Sequence, residues 1–94
     1  MPISADAAET LALKALAWLV GNEDLLDVFL GATGTSESDL RTRAGDPEFL
    51  GSVLDFLMMD DAWVVGFCDA ATEPYTRPME ARAALPGGEQ HHWT

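Results

Sequence analysis

Two carboxylates, Asp60 and Asp61, stand side by side in the apolar run VLDFLMMDDAWVVGFCD, Val53 to Asp69. Paired acids can share a proton, activate water or hold a metal, provided that both groups converge on one point. Neighbours on a helix point about 100° apart, so a continuous helix would separate them. The better reading is a helix joint, with one acid ending the helix before it and the other capping the helix after it. A calcium loop does not fit, because the spaced D-x-D-x-D-G series is absent.

Other reactive side chains are scattered. His91 and His92, followed by Trp93, are the only histidines, and no Cys is near them in sequence. A structural zinc takes about four ligands, so the pair is read as part of a loose tail over residues 89–94 and no metal site is expected. Cys68 falls on an apolar helical stripe with no Lys or Arg within four residues. Nothing there would lower its pKa, and it reads as a buried core thiol. Ser4, Ser36, Ser38 and Ser52 lack a G-x-S-x-G setting. The stretch GATGTS, Gly31 to Ser36, has glycines but no lysine and no phosphate-loop pattern, and reads as a helix C-cap followed by an N-cap. Catalysis would need acids distant in sequence, such as Asp55 and Asp69, to meet in a cleft. No catalytic residue and no cofactor is therefore expected, and the chain is read as a non-enzyme.

The elements that must carry these side chains are nearly all helical. Helix one is expected over Ala5 to Val20, capped by Ser4 or by Asp6, which has capping-box spacing to Glu9. It is apolar around most of its girth, which suits the middle of a bundle. Helix two, Glu23 to Thr33, follows Asn22 as N-cap and stops at Gly34. Helix three, Glu37 to Ala44, is capped by Ser36. Helix four opens on Asp46 and Pro47, a strong start signal. Its Phe49, Leu50, Val53, Leu54 and Leu57 form a buried face that Phe56 and Met58 widen. Helix five repeats the pattern with Trp63, Val64, Phe67, Cys68 and Ala71. A last helix runs from about Pro78 to Leu85. AWVVGF, Ala62 to Phe67, has some β character, but no stretch alternates long enough to argue a strand.

The bulk numbers agree. Ninety-four residues make one domain, spanning 1–88 before the tail. At 48% hydrophobic and 22% charged the composition is globular. Lys+Arg number 5 against Asp+Glu 16, a formal charge of −11, which repels phosphate backbones and anionic membranes. One cysteine permits no internal disulfide and suits a reducing compartment. The apolar ALAWLV is too short to span a bilayer, and MPISADAAET has no basic leader character. A cytoplasmic protein away from the membrane is expected.

AETLALKALAWL (Ala8 to Leu19) and the stretch from Phe29 to Asp61, above all DLR (Asp39 to Arg41) and DPEFLGSVLDFL (Asp46 to Leu57), resemble the small bacterial proteins of domain-of-unknown-function family 3572. The resemblance covers about two thirds of the chain and does not extend past Gly88. It implies a compact all-helical domain and no activity.

The fold expected is all-α, a single-domain bundle of five or six helices, with helix one central and helices four and five forming a packed hairpin. A helix-turn-helix-like corner is open between helices two and three, where Gly34 and Leu40 have the spacing of a turn glycine and an inward residue. Arg41 and Arg43 would then be the DNA contacts. Against this stand the net charge, Leu30 where a small residue is preferred, and the acid-first pairs Glu37–Arg41 and Asp39–Arg43, which would engage both arginines. The leading expectation is a non-catalytic interaction or adaptor protein that binds an unidentified protein or a second copy of itself. Its surface would lie where helices four and five carry surplus apolar residues, at Phe56, Met59 and Val65.

Overall fold

The computed structural model describes residues 3–87. Among these the chain forms six α-helices and one 3-10 turn, with no strand: α1 Ala5–Val20, α2 Glu23–Thr33, α3 Leu40–Arg43, α4 Pro47–Leu57, α5 Asp61–Ala71 and α6 Arg77–Ala83. The 3-10 turn, Glu37–Asp39, leads directly into α3.

Helix α1 is the axis. Ser4 caps it, its Oγ accepting the Ala7 N–H at 3.1 Å. Asp6 lies inside the first turn, so of the two expected caps the structure selects the serine. The buried residues Ala8, Leu11, Ala12, Ala15, Leu16 and Leu19 recur at helical spacing. Three of them are alanines, which let neighbouring helices approach closely. Helix α1 packs mainly against α4 and α6, with α2 and α5 beside it, the central position expected.

Helix α2 follows Asn22, whose side chain makes no cap bond. It stops at Gly34, whose φ of +70° is the left-handed state glycine adopts without strain. The expected third helix is shorter and mixed: the 3-10 turn takes its first residues, and only Leu40–Arg43 is α-helical. Ser36 sits at the cap position but hydrogen-bonds Ser38 instead of the backbone.

Helix α4 starts as its sequence demands. Asp46 Oδ1 accepts the Glu48 N–H at 3.0 Å, and Pro47 fills the first position. Among its buried residues, Gly51 leaves room for Arg82 of α6; a Cβ there would meet the guanidinium Nη1 at 2.9 Å. Arg82 Nε donates to Asp55 Oδ1 at 2.7 Å and Nη1 to the Pro86 carbonyl at 2.9 Å, which fastens α6 to α4.

The expected hairpin of helices four and five is corrected. Helix α4 turns its face to α1 and α6, and α5 lies principally against α1. The two meet chiefly at their joint, where Phe56 stacks on Trp63 with ring centroids 4.9 Å apart. That stack continues inward, edge to face, through Phe29 to Phe49. Helix α5 ends at Thr72, a β-branched residue with φ of +58°, an uncommon and strained state for its type.

Candidate functional site

Asp60 and Asp61 do not form a dyad. Helix α4 ends at Leu57, and Asp60 caps α5, its Oδ1 accepting the Ala62 N–H at 2.8 Å. Asp61 is the first residue of α5, where a negative charge favours the helix dipole. Asp55 and Asp69 are also apart in function: Asp55 holds Arg82, and Asp69 Oδ1 accepts the Tyr75 hydroxyl at 2.7 Å. That hydrogen bond, together with the carboxylate charge, raises the Tyr75 phenol above its ordinary value.

Cys68 is buried in the core, and its thiol faces the Pro74 carbonyl at 3.5 Å. Burial foremost, then the charges of Glu73 and Asp69, push its pKa up, the reverse of an activated nucleophile. Ser52 donates to the Phe49 carbonyl one turn back, and Ser4 is a cap. Among the described residues no group of three or more His, Cys, Asp or Glu could hold a metal. His91 and His92, with the tail over 89–94, lie outside the described residues.

At the corner between α2 and α3, Arg41 and Arg43 are both exposed residues. The expected ion pairs Glu37–Arg41 and Asp39–Arg43 do not form. Arg43 turns back instead: Nη1 donates to the buried Thr35 hydroxyl at 3.0 Å, and its guanidinium lies 4.8 Å from the centre of the Phe49 ring. Arg41 is exposed. An isolated exposed pair contributes only about 0.3–0.5 kcal/mol, so satisfying a buried hydroxyl and a ring face outweighs it.

The surface expected at helices four and five is corrected at one of its three residues, Phe56. Phe56 is 4% exposed and belongs to the aromatic core, so it cannot face a partner. Met59, in the turn before α5, is 75% exposed and Val65, on its outer side, 40%.

A second apolar feature lies on the other flank of α5. Lys14, Ala17 and Trp18 of α1 and Phe67, Ala70 and Ala71 of α5 line an open groove. Trp18 is half-buried, and its ring meets Phe67 edge-on at 6.2 Å. Gly66 gives the indole its place, since a Cβ there would stand 3.2 Å from it. Ala17 and Trp18 also border a shallow depression completed by Gly21, Asn22, Glu23 and Asp24. Trp18 was not among the surface residues expected from the sequence, which were Phe56, Met59 and Val65. The available signal was its place four residues after the exposed Lys14, at the edge of the buried arc of α1.

A family model described as "Protein of unknown function (DUF3572)" matches residues 5–88. No curated protein and no solved structure matches the chain.

Proposed function

Because the chain belongs to the DUF3572 family, a family of unknown function, we propose from its own surface that it serves as a non-catalytic protein-interaction domain. The observation behind this reading is the set of large apolar side chains left in solvent, led by Met59 and joined by Val65. Apolar groups on adjoining elements, rimmed by charge, characterise surfaces that another protein covers. Methionine suits such contacts, since its flexible thioether adapts to the surface opposite.

The partner is a different protein rather than a second copy. Met59 and Val65 stand among Asp60, Asp61 and Asp69, and the whole chain carries −11. Pairing two such faces would set acid against acid. A DNA-binding reading of the α2–α3 corner has less support, since Arg43 is engaged with Thr35 and Phe49. Among the described residues no helix is long and apolar enough to cross a membrane. We place the protein in the cytoplasm, a location that suits a single buried thiol.

Capture from native lysate with the wild-type chain and with Met59→Asp/Val65→Asp tests the proposal, alongside light scattering over a dilution series. Folded double variant that loses a protein retained by the wild type is the expected result. A folded double variant that keeps every captured protein, or a wild-type dimer that the double substitution dissolves, would overturn it.

A further inference from the structure

We infer that the groove between α1 and α5 is a docking site for a basic amphipathic helix from another protein. The inference rests on the reading of the chain as an interaction domain, but not on the Met59–Val65 patch.

Shape argues first. Trp18 and Phe67 make the floor, while Ala17, Ala70 and Ala71 are too small to keep a partner at a distance. The apolar surface continues along α1. Leu13 is 43% exposed and Val20 48%, and with the exposed Ala17 between them they recur at i, i+4, i+7. That is an apolar strip of about two helical turns on the outer face of α1, which meets the groove at Ala17. A helix laid against it can match the strip with its own residues at the same spacing. A half-buried tryptophan is well placed as an anchor, because its large rigid surface is already partly ordered.

Charge then selects the occupant. Of five Lys and Arg in the chain, Lys14 alone lines the groove, and Glu73 lies 3.7 Å from its ammonium. Glu23 and Asp24 border the depression that shares Ala17 and Trp18 with the groove. A helix with Lys or Arg flanking an apolar stripe places its cations against Glu23 and Asp24, Glu73 being already paired with Lys14. A second copy of this chain would bring more acids to the same place, and an anionic membrane would be repelled.

Two designed helical peptides of equal apolar content, one built from Leu and Lys and one from Leu and Glu, test the site. Binding is read from Trp18 emission in a Trp63→Phe/Trp93→Phe chain and from titration calorimetry. The Leu/Lys peptide is expected to bind and shift the emission to the blue, and the Leu/Glu peptide to bind at least about tenfold more weakly. The exposed substitutions Ala17→Gln/Ala70→Gln leave net charge unchanged and should weaken the Leu/Lys peptide by about tenfold. Met59→Gln should leave its affinity unchanged.

Equal binding to the wild type and the groove variant would mean diffuse electrostatic attraction and would overturn the site. So would equal binding of both peptides, or dimer formation in place of peptide binding. Loss through Met59→Gln instead would move the contact to the other patch, overturning the groove while leaving the interaction-domain reading intact.

Discussion

Burial separates Phe56 from Met59, three residues apart in an apolar run. Phe56 packs between the Phe29 and Trp63 rings, and Met59 stands in solvent. Phe56→Ala should cost about 3–5 kcal/mol in urea unfolding, and Met59→Ala no more than about 0.5 kcal/mol. Similar costs for both would contradict the placement. Cys68 gives a second prediction at this scale. Its folded pKa is raised above the ordinary 9.0. Stability from the protonated thiol is therefore complete below that value and is lost as pH climbs from it through the folded pKa. Cys68→Ala should flatten the alkaline limb of a stability–pH curve, and a thiol reagent near neutral pH should label the unfolded chain much faster than the folded one. Rapid labelling of the folded protein would contradict the burial. The sequence made Cys68 legible, because its spacing to Val64 and Ala71 is that of a stripe. It made Arg43 illegible: the acid four residues before it is visible in sequence, while Thr35 and Phe49 become its partners only when the corner folds.

Helix beginnings show which local signals survive folding. Ser4, Asp46 and Asp60 each accept a backbone N–H in the turn they precede, and all three were readable as small polar residues ahead of an apolar period. Asn22 and Ser36 were equally readable and make no such bond. The Asn22 backbone, at φ −123° and ψ 88°, departs from the usual extended cap geometry. Asp60→Ala should lower stability by about 1 kcal/mol in chemical denaturation. Asp61→Ala removes only a dipole contact and should cost about 0.3–1 kcal/mol. A larger loss at Asp61 would mean that the cap has been misassigned. The angle between α4 and α5 was not legible. Their apolar phases identify an inward face on each but not which helix each face meets, and α1 covers both.

At the scale of the whole molecule, charge opposes the core. The described fold measures 33 × 25 × 25 Å. At 0.01 M salt the screening length is about 30 Å, so acids on opposite sides repel one another; at 0.1 M it falls to about 10 Å. With a formal charge of −11, the melting temperature should rise as NaCl is increased from about 0.01 M to about 0.5 M. A flat or falling curve would show that local ion pairs such as Asp55–Arg82 outweigh the general repulsion. The all-helical class was legible at this scale, because nearly every segment carries a helical period and caps mark the breaks. The groove at Trp18 was not, because it arises only when the outer edge of α1 comes to lie beside the small residues of α5.

The stack of Phe56 on Trp63 has an optical consequence. An indole held at 22° to a neighbouring ring sits in an asymmetric field and contributes to near-ultraviolet circular dichroism. In a Trp18→Phe/Trp93→Phe background that signal reports the α4–α5 joint, while the far-ultraviolet signal reports helix content. For a domain that unfolds in one step the two melting curves coincide. A near-ultraviolet curve that falls first would identify the joint as the place where the fold opens.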